Sequence, residues 1–235
     1  MTKISNFTEG KILSPLLKFA MPVLLAMFLQ VMYGAVDLLI VGQFGSATDI
    51  SAVATGSQVM MTITSIINGF AMGVTILMGQ KLGQGKSKEA GNVVDSGICI
   101  FTVLAVIITA TMLIFAVPIS RLMHAPVEAF DDTVLYVRIC SAGTIFIVAY
   151  NVICGIFRGL GDSKTPLITV SIACVANIVG DILLVAGFHM GVAGVAMPII
   201  FGITVAIIVA GAVFLLMGLC SRKQNATKLI FTIWQ

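Results

Sequence analysis

Two aspartates, Asp37 and Asp181, interrupt apolar sequence that holds no other charge nearby. An aspartate at the centre of a bilayer costs about 2.5 to 3.5 kcal/mol on insertion scales, so such residues are usually functional. No lysine or arginine lies close to either one along the sequence, and no permanent ion-pair partner is predicted. Burial and a neighbouring carboxylate both favour the protonated form of a carboxyl group. Together, the two aspartates could take up and release a proton or hold a cation.

Helical spacing places further polar side chains on the faces that carry these acids. The stripe along the first predicted helix is formed by Pro22, Ala26, Gln30, Tyr33 and Asp37. Asn177 lies one turn before Asp181 in the same way. A polar stripe is costly against lipid, so both stripes are predicted to face the interior of a bundle. Asn151 and Asn68 are further candidates for inward-facing positions.

Structural interpretations of the same residues stay open at this point. Asp37 could reach the outer membrane interface, and Asp181 could be an acid bonded to Asn177. Pro22 removes a backbone hydrogen bond within the first helix and predicts a kink. That kink could be static, or it could change shape with protonation of the neighbouring stripe.

The composition indicates that the helices carrying these residues lie in lipid. Of the 235 residues, 59% are apolar and 10% are charged, and the mean hydropathy is +1.11. A soluble domain carries about 25% charged residues, so a soluble enzyme and a disordered chain are both excluded. No segment shows the alternation of an outer-membrane barrel strand. The predicted fold class is therefore an all-α polytopic membrane protein.

Long stretches without charge predict six membrane-spanning helices. They are expected at about 15–41, 53–79, 92–118, 134–157, 165–188 and 192–219. A glycine cluster around His189 predicts the turn between the last two. The first span is too long for a signal peptide and is expected to be retained. Residues 1–14 then form an N-terminal segment, 15–219 the six-helix lobe, and 220–235 a basic tail.

Basic residues predict the orientation of the lobe. Eleven of them fall on one side: Lys3, Lys11, Lys18, Lys81, Lys86, Lys88, Arg158, Lys164, Arg222, Lys223 and Lys228. Only Arg121 and Arg138 fall on the other, so both termini are predicted to be cytoplasmic in a cell membrane. The first and fifth helices then run in the same direction. Asp37 and Asp181 are then predicted to lie at depths that differ by about 5 Å.

The sequence gives little indication of redox, catalytic or metal-binding chemistry. The five cysteines (Cys99, Cys140, Cys154, Cys174 and Cys220) lie in apolar runs and are interpreted as small hydrophobic residues. Glycine pairs such as Gly69 with Gly73 and Gly155 with Gly159 predict close helix packing.

No phosphate-binding loop or hydrolase motif occurs, and no metal site is predicted. An intramembrane aspartyl protease is the enzymatic alternative, although neither aspartate adjoins a glycine pair.

Four segments resemble one family of transporters. They are VDLLIVGQFG (36–45), GQKLGQGKSKEA (79–90), GIFRGLGDSKTP (155–166) and NIVGDILL (177–184). They are similar to the amino-terminal half of the multidrug and toxic compound extrusion (MATE) transporters, and the resemblance extends from residue 1 to about 220. It implies a secondary antiporter, not an enzyme, that exports organic cations or drugs in exchange for H⁺ or Na⁺. No other cofactor and no nucleic-acid partner is implied.

The resemblance also implies roles for individual residues. Asp37 and Asp181 match the family's coupling aspartates, with Asn177 as a third ligand if the ion is Na⁺. The residues that match the polar substrate pocket are Gln30, Tyr33, Asn177, Asn151 and Tyr136. Pro22 matches the proline at which the first helix bends.

The sequence departs from the family in length. Members have two six-helix lobes, and only the first is recognisable here, so the basic tail at 220–235 is interpreted as a truncated inter-lobe linker. Alternating access needs two bundles, so a second copy or a separate chain is expected to supply the other lobe. The alternatives are a truncated lobe that does not transport, or a lipid-linked oligosaccharide flippase of the same superfamily. The flippase would need cationic residues in its cavity, and the sequence predicts none there.

Overall fold

A computed structural model describes residues 13–233, with side chains described for 13–216. The described chain is helical. Its elements are α1 (Leu13–Phe44), α2 (Ala47–Gly83), α3 (Ser87–Ile114), α4 (Ala116–Leu122), α5 (Phe130–Ala142), α6 (Thr144–Gly159), α7 (Lys164–Asp181) and α8 (Gly191–Ile233). A 3₁₀ turn, Val127–Ala129, precedes α5, and a π-helical segment, Ile182–Gly187, continues α7.

The long helices make this a multi-pass membrane protein. Five of them are long and apolar enough to span a bilayer: α1, α2, α3, α7 with its π-helical segment, and α8. The remaining span, the fourth along the chain, is a bent pair, Val127–Ala142 and Thr144–Gly159, whose axes differ by 48°. With that pair counted as one, the predicted all-α, six-helix fold is confirmed.

Two predicted spans differ from the structure. The fourth, predicted as one helix at 134–157, is broken at Gly143, where Ile200 of α8 occupies the space that a Cβ would need. The third, predicted at 92–118, ends at Ile114 and is followed by the short helix α4. Pro118 explains that ending, because it has no N–H to donate to the carbonyl of Ile114.

The turns between spans agree with local sequence signals. A capping box begins α2, in which Ser46 N donates to Asp49 Oδ2 at 2.8 Å and Asp49 N donates to Ser46 Oγ at 3.1 Å. The predicted turn around His189 separates the π-helical segment from α8. His189 and Gly191 both adopt positive φ there, at 53° and 54°. The helix α8 continues to Ile233, past the predicted end of the sixth span at 219.

One predicted glycine pair packs helices together and the other does not. At Gly155 of α6, a Cβ would lie 3.0 Å from Thr75 Oγ1 of α2, and that hydroxyl donates to the Gly155 carbonyl at 3.0 Å. Gly159 is similarly close to Met78. Gly69 and Gly73 have nothing within 4 Å of a Cβ position. Their predicted role in packing is therefore wrong within this lobe, because their face of α2 is open.

The basic residues give the lobe two distinguishable sides. We call the side on which α1 begins the basic side, because Lys86 lies in the α2–α3 connection there and Lys164 begins α7. The opposite, acidic side carries Glu128 and Asp131. Helices α1 and α7 both run from the basic side to the acidic side, and they pack against each other.

Candidate ion and substrate site

The carboxyl groups of Asp37 and Asp181 face each other between α1 and α7, within hydrogen-bonding reach if one of them carries a proton. The side chains are 3% and 0% exposed. Asp37 lies seven residues before Phe44, and Asp181 lies six before the end of its span at Gly187. The two acids are therefore at nearly the same height. The open alternative in which Asp37 reaches the membrane interface does not describe this structure.

Several polar atoms at this point have no partner among the described residues. They include Asp37 Oδ1, both carboxyl oxygens of Asp181 and both side-chain amide atoms of Asn177, which is 3% exposed. Asp181 is therefore not bonded to Asn177. No lysine or arginine in the described part of the chain forms an ion pair with either acid. Buried polar groups are normally paired, so this cluster is suited to taking up a proton, a cation or water.

The ionisable neighbours of the acids come from three helices. Tyr33 of α1, Tyr136 and Cys140 of α5, and Cys174 of α7 all lie within electrostatic range of Asp37. Helix α8 packs against α7, but it has no ionisable side chain between residues 191 and 216. The acid pair is thus surrounded by phenols and thiols.

Tyr136 is fixed from the neighbouring helix α2. It is 1% exposed, and its hydroxyl lies 3.0 Å from Ser57 Oγ. Its ring packs directly over Gly56, where a Cβ would overlap ring atoms. The sequence identified Tyr136 as a candidate but not Ser57 or Gly56. The positions of these two residues along α2 do not indicate which helix they contact.

A separate cavity of about 30 Å³ lies between α1, α2, α6 and the start of α7. The polar or ionisable residues that line it are Gln30, Asn68, Tyr150, Asn151, Cys154 and Arg158. Gln30 lies seven residues before Asp37, which is about 10 Å along the helix. The structure therefore places Gln30 and Asn151, predicted as pocket neighbours of the acids, in this second cavity. Asn151 Nδ2 donates to the Ile147 carbonyl at 2.7 Å.

Arg158 is a cavity residue that sequence reasoning used only to orient the lobe. Its Nε is buried and has no partner among the described residues. The sequence predicted no cationic residue in the cavity around the acids, and Arg158 instead lines this second cavity. Spacing could have identified it, because Asn151, Cys154 and Arg158 recur every three or four residues and share one face of α6.

Three further predictions concern the bend at Pro22, the state of the cysteines and the absence of a metal site. Pro22 lies inside α1, which remains one helix from Leu13 to Phe44, so its role in bending stays a prediction. Cys99, Cys140, Cys154 and Cys174 are free thiols, and the side chain of Cys220 lies outside the described residues. The described side chains contain no group of three potential metal ligands from His, Cys, Asp and Glu.

Known proteins share this arrangement of helices. The MatE family model matches residues 22–183. The probable multidrug resistance protein YpnP of Bacillus subtilis is 31% identical over 194 residues, which are 83% of this chain and 44% of YpnP. The multidrug export protein MepA of Staphylococcus haemolyticus is 25% identical over 93% of this chain and 47% of MepA. The chain thus spans about half the length of the curated relatives it matches.

Solved structures extend the match to three dimensions. A multidrug resistance MATE family transporter of the MOP superfamily, in an outward-facing conformation, superposes with a TM-score of 0.82 and 26% identity. That superposition covers 89% of this chain and 46% of the other. The chain therefore belongs to the MatE family of multidrug transporters and forms the amino-terminal lobe of that fold.

Proposed function

We propose that the chain is one lobe of a cation-coupled multidrug exporter, in which an organic cation and a coupling ion compete for the Asp37–Asp181 pair. The observation that carries the proposal is the direct facing of these two buried carboxyl groups with no basic partner among the described residues. Two carboxylates this close hold an uncompensated negative charge, which attracts either ligand.

The two acids have different roles in this mechanism. Asp181 is the main proton acceptor, because it is fully buried and both of its oxygens lack a partner. Asp37 is its electrostatic partner. If the coupling ion is Na⁺, the unpaired amide of Asn177 supplies a third oxygen ligand. Each ligand lowers the affinity for the other by the same factor, because coupling between two binding equilibria is reciprocal.

A second six-helix lobe completes the transporter. Alternating access requires two bundles that move around a shared site, and this chain corresponds to about half of its relatives. The open face of α2 at Gly69 and Gly73 supports a helix interface there, because small residues let helices approach closely in lipid. The partner is another copy of the chain or a separate chain. In this proposal both termini lie in the cytoplasm, and the protein catalyses no covalent reaction.

Binding of tetraphenylphosphonium to the purified full chain tests the pocket. We expect its affinity to rise with pH, because deprotonation leaves the acid pair negatively charged. Sodium added at constant pH and ionic strength distinguishes the coupling ions, since only Na⁺ coupling weakens binding further. An affinity that changes with neither pH nor sodium contradicts the proposal.

Flux is tested separately in vesicles containing this chain alone. Tetraphenylphosphonium movement driven by an imposed proton or sodium gradient supports a transporter assembled from two copies. Binding without flux supports the requirement for a separate second lobe.

A further inference from the structure

The cavity on the basic side of the acid pair has no role in the function proposed above. It extends along α1 from Val23 to Gln30, seven residues or about 10 Å. Its basic end is marked by Arg158, near the end of α6, and by Pro166, near the start of α7. From Gln30 a further seven residues lead to Asp37. The cavity therefore lies between the acid pair and the basic side.

The lining of this cavity favours water as its occupant. Arg158 Nε is buried without an acceptor, and the amides of Gln30, Asn68 and Asn151 border the same space. A cavity needs about 10 to 15 Å³ and two to four polar partners to hold one water, and this cavity has about 30 Å³. The guanidinium charge at the basic end disfavours a metal ion or an organic cation there.

One tyrosine lines the cavity, and a second lies between the cavity and the acids along α1. Tyr150 lines the cavity and lies within electrostatic range of Tyr33. Tyr33 in turn lies within electrostatic range of Asp37 and belongs to the same stripe of α1 as Gln30. In order from the basic side, the polar groups are therefore Arg158, the cavity, Tyr150, Tyr33 and Asp37.

We propose that this cavity holds water and forms, with the hydroxyl groups of Tyr150 and Tyr33, the route by which protons reach and leave the Asp37–Asp181 pair from the basic side. The inference rests on the function proposed above. When the pair releases its proton, the carboxyl O–H bond breaks and the Tyr33 oxygen accepts that proton as its own hydroxyl proton passes to Tyr150 or water. Each tyrosine ends the step neutral, and the proton leaves through the cavity.

Infrared spectroscopy of the full chain in a lipid bilayer tests the route without a second lobe. The carboxylic C=O band of the protonated pair, identified by its loss in Asp181→Asn, shifts when H₂O is replaced by D₂O, and the rate of that shift measures proton exchange. Ala26→Leu fills the cavity without removing a polar group, and Tyr150→Phe removes one hydroxyl. Ala35→Leu makes the same change as Ala26→Leu on an exposed part of α1.

We expect Ala26→Leu and Tyr150→Phe each to slow exchange by about tenfold, equivalent to about 1.4 kcal/mol in the barrier, and Ala35→Leu to leave it unchanged. Exchange at the wild-type rate in both of the first two variants overturns the route and leaves the proposed function standing. Absence of a carboxylic band sensitive to Asp181→Asn across the titration overturns the acid pair as the proton acceptor, and the route with it. The amide bands of each variant report whether it is folded.

Discussion

The hydroxyl groups of Tyr136 and Ser57 lie 3.0 Å apart and join the bent fourth span to α2 beside the acid pair. The contact is possible because Gly56, the residue before Ser57, leaves room for the tyrosine ring. Tyr136 is thus held from two directions, by a hydrogen bond at its tip and by the α2 backbone under its ring.

Gly56→Ala is expected to destabilise the lobe. The added methyl group overlaps the buried Tyr136 ring, and overpacking of this kind costs about 1 to 3 kcal/mol. Helical circular dichroism measured on heating in detergent should show a lower unfolding temperature. The matched control is Gly69→Ala, where nothing lies within 4 Å, and equal stability of the two variants would contradict the close packing at Gly56.

Asp181→Asn is expected to remove the pH dependence of cation binding. In the wild type, competition with one proton changes affinity by up to about tenfold per pH unit. The asparagine cannot titrate, so the affinity for tetraphenylphosphonium should stay low and nearly constant across pH. Asp131→Asn, an exposed change on the acidic side, should preserve the wild-type profile. A wild-type profile in Asp181→Asn would exclude this residue as the acceptor.

Asn177→Leu is expected to weaken ligand binding without lowering stability. The amide is buried with both polar atoms unpaired, and replacing an unsatisfied polar group by an apolar one of similar size is nearly neutral or stabilising. Thermal unfolding and tetraphenylphosphonium affinity, measured on the same preparation, separate the two effects. A large loss of stability would mean that Asn177 has a structural partner.

Gly73→Leu is expected to weaken association between copies of the chain in a bilayer. Its face of α2 is open in the lobe, so the larger side chain should not disturb the lobe itself but should separate paired helices. Energy transfer between labelled copies at increasing lipid dilution measures the association. Gly91→Leu makes the same change at an open position on α3 and serves as control; equal association of both variants would place the interface elsewhere.

Hydropathy and helical period were sufficient to predict six spans and the helix faces that carry the two acids. Charge-free stretches mark spans because charged residues are costly in lipid, and the spacing of Gln30, Tyr33 and Asp37 places them on one side of α1. Hydropathy did not predict the break at Gly143, because the uncharged stretch 139–157 continues through it. Ile200 of α8 lies against Gly143 at the break, and this tertiary contact is not visible in the sequence.

The features that the sequence did not reveal are those that depend on distances between helices. Gly69 with Gly73 and Gly155 with Gly159 have the same spacing, yet only the second pair contacts another helix in the lobe. Arg158 was interpreted through its charge, as one of the basic residues that orient the lobe, although its side chain lines a cavity. Periodicity gives the direction of a side chain around its own helix and does not identify the neighbour it meets.

The π-helical segment Ile182–Gly187 follows Asp181 directly. A π turn accommodates one residue more than an α turn over the same stretch. Deleting one residue from this segment would therefore shorten the sequence without removing a turn of helix, and it would restore α-helical bonding next to Asp181. The additional residue rotates Asp181 relative to the residues that follow the segment.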